Sequence, residues 1–99
     1  MLPFERFKKT NTEGNLWVYL LTLAKGQEVP NEDAPRLVFE RFGFLPGSFL
    51  TARVLMRLKQ QGMASDERFK GKRAYKTTRT GLEQLESMRA FCQALLEKV

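Results

Sequence analysis

Residues 43–78 read GFLPGSFLTARVLMRLKQQGMASDERFKGKRAYKTT. The segment Phe44-Leu45-Pro46-Gly47 predicts a turn, because Pro and Gly interrupt regular structure. Ser48 is then expected to cap a helix that runs from Phe49 to Gln61, and Gly62 is expected to close it. The segment therefore begins with a turn and a helix, in that order.

The same segment continues with the pattern of a β-hairpin. Met63–Phe69 and Arg73–Thr77 predict two strands, and Lys70-Gly71-Lys72 predicts a basic tip between them. Thr78 is expected to cap a last helix that continues to about Lys98. The hairpin is thus placed between two helices.

Two further helices are predicted upstream. Asn15 is expected to cap a helix over Leu16–Lys25, which is apolar on nearly every side and therefore central. A short extended link over 26–30 leads to another helix, which Asn31 is expected to cap and Gly43 to end.

This order of elements predicts a mainly α protein with a small β-hairpin. Helix–turn–helix followed by a hairpin is the winged-helix arrangement. We therefore expect a winged helix-turn-helix with a C-terminal dimerisation helix. The 99 residues fit one winged-helix domain. Its expected parts are an N-terminal extension over 1–14, a winged-helix core over 15–78 and a dimerisation helix over 79–99.

The composition argues against catalysis. The chain has no histidine and one cysteine, Cys92, which excludes a histidine general base, a nucleophile–histidine pair and a thiolate zinc site. No glycine loop suited to phosphate is present, and the acidic residues are dispersed. We expect no enzyme, no cofactor and no metal site.

The chain also lacks the signals of membrane or secreted proteins. The longest apolar run, Leu16–Leu21, is too short to cross a bilayer, and four of the first nine residues are charged, unlike a signal peptide. A lone cysteine fits a reducing compartment. We expect a cytoplasmic protein with no membrane partner.

Positive charge is concentrated in residues 48–78. This segment holds eight basic and two acidic residues, a net charge of +6 that equals the charge of the whole chain. Residues 26–47 hold two basic and four acidic residues. Such polarisation is typical of a surface that binds nucleic-acid phosphates, and the alternative is a solvated basic surface.

The predicted helix over Phe49–Gln61, the third in chain order, has two distinct faces at about 100° per residue. Its inward face is expected to be Leu50, Thr51, Val54, Leu55 and Leu58. The residues of this helix expected to contact double-stranded DNA are Ser48, Phe49, Ala52, Arg53, Met56, Arg57, Lys59 and Gln60. Among these, Arg53 and Gln60 carry groups that read guanine and adenine, and Ser48 with the helix N-terminus suits a phosphate.

Phe49 and Met56 fit a DNA-binding face least well, because they are large and apolar. Three roles stay open for them: contact with thymine methyl groups, packing under the hairpin, or a protein-binding surface.

The hairpin tip predicts a wing that reaches phosphates or the minor groove. The residues expected to contact DNA there are Arg68, Lys70, Lys72 and Arg73. The alternative is a solubilising hairpin, because lysine protects exposed strand edges.

Three stretches resemble PadR-like transcriptional regulators. Residues 53–63, RVLMRLKQQGM, resemble the end of that family's recognition helix, which an L-x-x-L-x-x-x-G pattern closes. Residues 73–81, RAYKTTRTG, resemble its return strand and the start of its last helix, with the pattern Y-x-L-T-x-x-G. Glu40–Gly43 with Pro46 matches its second helix and turn. The resemblance covers about residues 16–99.

The chain departs from the family at two motifs. Asn31-Glu32-Asp33-Ala34 lies where the family often has G-Y-E, and Phe49-Leu50-Thr51-Ala52 lies where it has G-T-L-Y. The resemblance therefore implies no particular effector or operator.

The last helix predicts a homodimer. Five apolar positions, beginning at Leu85, follow the spacings of three and four that form a coiled-coil seam. The residues expected to form the contact are Leu82, Leu85, Met88, Phe91, Cys92, Leu95, Leu96 and Val99. The alternative is a helix that only closes its own domain.

We therefore expect a sequence-specific DNA-binding transcriptional regulator, a repressor, that acts as a homodimer. Two alternatives stay open: a winged-helix protein-interaction module, and a replication or plasmid-maintenance DNA-binding protein. In PadR-like dimers the helix that holds Trp17 and Tyr19 can line an inter-subunit cavity, which suggests a small aromatic effector. Core packing is the favoured role of both side chains.

Overall fold

The computed structural model describes residues 1–99. Its helices and strands, in chain order, are α1 (Pro3–Thr10), a 3₁₀ turn (Glu13–Asn15), α2 (Leu16–Gly26), β1 (Val29–Pro30), α3 (Ala34–Phe42), α4 (Ser48–Gln60), β2 (Ala64–Phe69), β3 (Lys72–Thr77) and α5 (Arg79–Lys98). This order confirms the predicted helix–turn–helix, hairpin and last helix. None of the helices combines the length and apolar character needed to cross a membrane.

The hairpin belongs to a three-stranded antiparallel sheet of order β1-β3-β2. Val29 pairs with Tyr75, and Pro30 pairs with Ala74. The predicted link over 26–30 thus contains a third strand, which is too short to give a recognisable alternation. The wing is the hairpin of β2 and β3, residues 64–77. Its strand β3 is the central strand of the sheet and packs against the helices.

The wing ends in a two-residue turn. Lys70 and Gly71, between the paired residues Phe69 and Lys72, have φ values of 53° and 79°. Two positive φ angles define the type I′ hairpin turn, whose twist matches that of the flanking strands. Glycine adopts such angles without steric cost, so the predicted basic tip is short and defined.

Helix α2 is the centre of the hydrophobic core. Its buried side chains are Leu16, Leu20, Leu21, Leu23 and Ala24. Leu58 of α4, Tyr75 of β3 and Leu85 of α5 belong to the same cluster. Each fully buried leucine contributes roughly 1.5–3 kcal/mol, so α2 holds the other elements together.

The predicted inward face of α4 is confirmed. Thr51, Leu55 and Leu58 are buried, and Leu50 and Val54 are half-buried. Rotating α4 would expose these side chains to water, so the opposite face is fixed toward solvent.

Two predicted helix caps differ from the structure. Asn15 holds the N-cap position of α2 as predicted, but its side chain makes no cap hydrogen bond and its amide donates to the carbonyl oxygen of Thr10 over 3.1 Å. Asn31 does not begin the next helix, because α3 starts at Ala34, where Pro35 occupies the first turn. Proline favours that position because its missing N–H has no helical partner there.

The remaining two caps differ in outcome. Ser48 is the first residue of α4 rather than its cap, which is Gly47, and the Ser48 side chain makes no cap hydrogen bond. The Thr78 cap is confirmed, since its Oγ1 accepts a hydrogen bond from the backbone N–H of Gly81 over 3.2 Å.

Gly81 allows α5 to approach the base of the hairpin. A Cβ atom at this position would lie 2.7 Å from Cγ2 of Thr77 and would collide with the carbonyl group of Met63. Only glycine therefore fits this contact without moving the helix away from the sheet.

Candidate nucleic-acid interface

The side chains predicted to contact DNA from α4 lie on its solvent side. Ala52 is half-buried, and the exposed members are Ser48, Phe49, Arg53, Met56, Arg57, Lys59 and Gln60. Core packing on the other side holds them in place. The helix thus presents one continuous exposed face of mixed basic and apolar character.

Phe49 is the most exposed aromatic side chain, at 83 %. The guanidinium carbon of Arg53 lies over its ring, 5.9 Å from the centroid, a cation–π arrangement. Phe49 therefore does not pack under the hairpin, which excludes one of its three predicted roles. Met56, at 36 % exposure, is partly covered.

Asp66 on β2 joins the exposed face of α4 to the wing. Its Oδ2 accepts a hydrogen bond from Nζ of Lys59 over 3.1 Å and lies 3.5 Å from Nε of Arg73. The hydrogen bond from Lys59, with the charges of Lys59 and Arg73, holds the pKa of Asp66 below its usual value. Two of the residues predicted to contact DNA, Lys59 and Arg73, thus share one carboxylate of the same chain. The count of charges along the sequence did not reveal this pairing.

The other wing residues are exposed and loosely held. Arg68 donates to the carbonyl oxygen of Gly71 over 3.2 Å. Nζ of Lys72 lies 3.8 Å from a carboxylate oxygen of Glu32, in a pair that is 48 % and 68 % exposed. Such exposed pairs are worth about 0–1 kcal/mol, so Lys72 can leave Glu32 for a phosphate at little cost.

Five basic side chains in this region have no carboxylate within 4.0 Å. They are Arg53, Arg57, Arg68, Lys70 and Lys76. Sequence reasoning counted Lys76 in the charge of the segment but did not place it at the interface. Arg57 stands at the edge of the α4 face, where it also lines a cavity of about 340 Å³ with Trp17 and Gln61. Positive charge is thus available on both α4 and the wing.

The N-terminus of α4 adds backbone donors to this surface. The first helical hydrogen bond runs from the N–H of Thr51 to the carbonyl oxygen of Gly47 over 2.9 Å. The amides of Ser48, Phe49 and Leu50 precede that bond and point toward the helix start. A helix N-terminus with free amides favours an anion such as a phosphate.

The residues predicted for dimerisation fall into two groups along α5. Leu85 is buried and Met88 is half-buried within the chain's own core. The other six are exposed: Leu82, Phe91, Cys92, Leu95, Leu96 and Val99. Packing within the domain thus accounts for Leu85 and Met88, but not for Leu82 or for the apolar second half of the helix.

Helix α1 is a second apolar surface without cover. None of its residues is buried, and Phe4 and Phe7, one turn apart, are both exposed. It lies within the segment predicted as the N-terminal extension.

Trp17 and Tyr19 have different surroundings. The Tyr19 ring makes edge contacts of 4.9 Å with Phe42 and Phe44, and its hydroxyl donates to the carbonyl oxygen of Asn11. Burial raises the pKa of Tyr19. Trp17 is half-buried in a groove of about 350 Å³ between α2 and α5. Trp17 also packs against the core cluster, and both side chains line this groove.

Comparison with known proteins gives a likeness in structure. No family model matches the chain, and no curated protein is similar to it in sequence. The structure is similar to the X-ray structure of a PadR-like transcription factor from Bacteroides fragilis, with a TM-score of 0.75, 20% sequence identity and coverage of 94% of each chain. The chain therefore has the winged-helix fold of that PadR-like transcription factor.

Proposed function

We propose that the chain is a PadR-like, sequence-specific DNA-binding transcriptional regulator that acts as a homodimeric repressor. One observation carries the proposal: the exposed face of α4 and the wing beside it hold five basic side chains without a carboxylate within 4.0 Å. A recognition helix in the major groove, with a basic wing on neighbouring phosphates, uses such a surface.

The residues of this surface divide by the contact they suit. Arg53 and Gln60 on α4 suit base edges, while Lys70 and Lys72 on the wing suit phosphates. Arg53→Ala and Gln60→Ala should each weaken the best site by about 1–3 kcal/mol and leave random duplex little changed.

The homodimer is supported by the exposed half of α5. Apolar patches of this kind on a helix are usually covered by a partner, and a second copy offers an identical one. Two copies related by a two-fold axis would read half-sites about one helical turn apart. Binding across a promoter would then block polymerase, which is the repressor role.

Selection of bound sequences from a random duplex pool tests this function. The expected result is a two-fold symmetric site, and a promoter that carries the site should lose transcription when the protein is added. Enrichment of no sequence would contradict specific binding. A selected site that leaves transcription unchanged would favour the replication or plasmid-maintenance function.

A protein-interaction module is the second candidate, because Phe49 is a large apolar side chain at 83 % exposure. It predicts a folded protein that binds no duplex even at low salt.

A small aromatic effector is a separate part of the proposal. The groove beside Trp17 is also lined by Phe91 and Cys92, and its size suits a flat apolar molecule. Titration of aromatic compounds should change the fluorescence of Trp17, the only tryptophan. Unchanged fluorescence across the panel would remove the effector and leave DNA binding in place.

A further inference from the structure

Phe49 and Arg53 form one exposed unit at the start of α4. They are one helical turn apart, and the Arg53 guanidinium lies over the Phe49 ring at 5.9 Å. Ala52 beside them is small, so no larger side chain of α4 covers the ring from that position. The N-terminal residues of a recognition helix contact base edges in the major groove.

The two side chains offer complementary chemistry to DNA. An arginine donates two hydrogen bonds to O6 and N7 of guanine, and a phenylalanine makes apolar contact with the 5-methyl group of thymine. The cation–π contact with the ring limits the orientations of the guanidinium, so less conformational freedom is lost when it binds. Base pairs are stacked about 3.4 Å apart, so a pair of groups in contact can reach two neighbouring base pairs.

We propose that Phe49 and Arg53 together read a 5-methylpyrimidine next to a guanine. Arg53 bonds the guanine, and the Phe49 ring contacts the methyl group, whether thymine or 5-methylcytosine carries it. This inference rests on the proposed DNA-binding function and adds a specificity-determining residue to it. It also explains why an apolar ring is placed in the middle of a basic surface.

The test changes the DNA by a single methyl group. In the best duplex from the selected pool, each thymine next to a guanine is replaced in turn by deoxyuridine, which pairs identically. One replacement should weaken binding about fourfold, the equivalent of about 0.8 kcal/mol for one buried methyl group. A duplex with cytosine at that position should gain a similar factor when the cytosine is methylated at carbon 5.

Phe49→Ala should bind the thymine and uracil duplexes equally, because it lacks the ring. Phe39→Ala removes another exposed phenylalanine, on α3, and should keep the fourfold difference. The uracil series needs no variant, so it gives a result even if Phe49→Ala fails to fold.

Binding that is unaffected by every uracil replacement would overturn the inference and leave the proposed function standing. A Phe49→Ala protein that keeps the parent's preference for thymine would also overturn it. Absence of binding to any duplex would instead contradict the proposed function itself.

Discussion

The carboxylate of Asp66 accepts a hydrogen bond from the ammonium group of Lys59 over 3.1 Å, and this contact joins β2 of the wing to α4. Arg73 shares the same oxygen at 3.5 Å. One acidic side chain thus holds two cations at the junction between the two elements proposed to contact DNA. Their charge is partly neutralised by this carboxylate of the same chain before any phosphate binds.

Asp66→Asn should therefore tighten binding to random duplex and steepen its dependence on salt. Two released cations would allow up to two further phosphates to be neutralised per protomer. Glu67→Gln is the matched control. It also removes one negative charge, at the next residue of the chain, but Glu67 takes part in no ion pair. Fluorescence anisotropy with one random duplex compares the affinities of the two variants and their dependence on salt. Equal affinities for both variants would show that the ion pairs at Asp66 do not restrain Lys59 and Arg73.

The titration of Asp66 should report the same contacts. Its pKa is lowered in the folded protein, so the ion pairs stabilise the fold above the unfolded-state pKa, and this contribution is lost as pH falls through the folded-state pKa. Carboxyl NMR should give a midpoint below the ordinary 3.8. Lys59→Gln should move the midpoint upward because it removes the main cause. An unchanged midpoint in that variant would mean that Lys59 does not bind Asp66 in solution.

Gly81→Ala should destabilise the fold, because its Cβ would collide with the carbonyl group of Met63 and lie 2.7 Å from Cγ2 of Thr77. Overpacking of this kind costs about 1–3 kcal/mol. Gly26→Ala is the control, since nothing lies within 4 Å of its added Cβ, and a small stabilisation of about 0.4–1 kcal/mol is expected at this helical position. Urea unfolding measures the free energy of unfolding of both variants and of the parent chain. A Gly81→Ala protein as stable as the Gly26→Ala protein would show that α5 can shift without cost.

Leu95→Glu combined with Leu96→Glu should convert the proposed dimer into folded monomers. Both side chains are exposed on α5, where charge would be buried only if a partner covers them. Gln93→Glu, which adds one of these two negative charges at another exposed position of α5 and removes no apolar side chain, should leave the dimer largely intact. Sedimentation at micromolar concentration distinguishes monomers from dimers for each variant and for the parent chain. A parent chain that is already monomeric there would contradict the homodimer.

Much of this fold follows from local sequence signals. Glycine and proline separate the elements, the Thr78 side chain caps α5 as its residue type predicts, and the spacing of apolar residues identifies the buried side of α4. These features depend on residues within one or two turns of each other, which is why sequence patterns find them.

The features that sequence reasoning missed depend on tertiary contacts. Strand β1 has only two residues and forms because β3 lies beside it. The pairing of Asp66 with Lys59 joins residues on two elements, and charge counting does not reveal which cations are held. The start of α3 depends on Pro35 rather than on the capping potential of Asn31. Local signals thus predicted the elements but not the partners of their side chains.

The salt dependence of duplex binding tests the central claim most directly. Anisotropy of a labelled random duplex should show affinity falling by about 10³–10⁵ between 50 and 200 mM salt, the loss expected for six to ten neutralised phosphates. Lys70→Ala and Lys72→Ala on the wing should reduce this slope, while Lys98→Ala, at the far end of α5, should not. A folded dimer that binds no duplex at the lowest salt, or wing variants that bind like the parent, would contradict a DNA-binding surface on α4 and the wing.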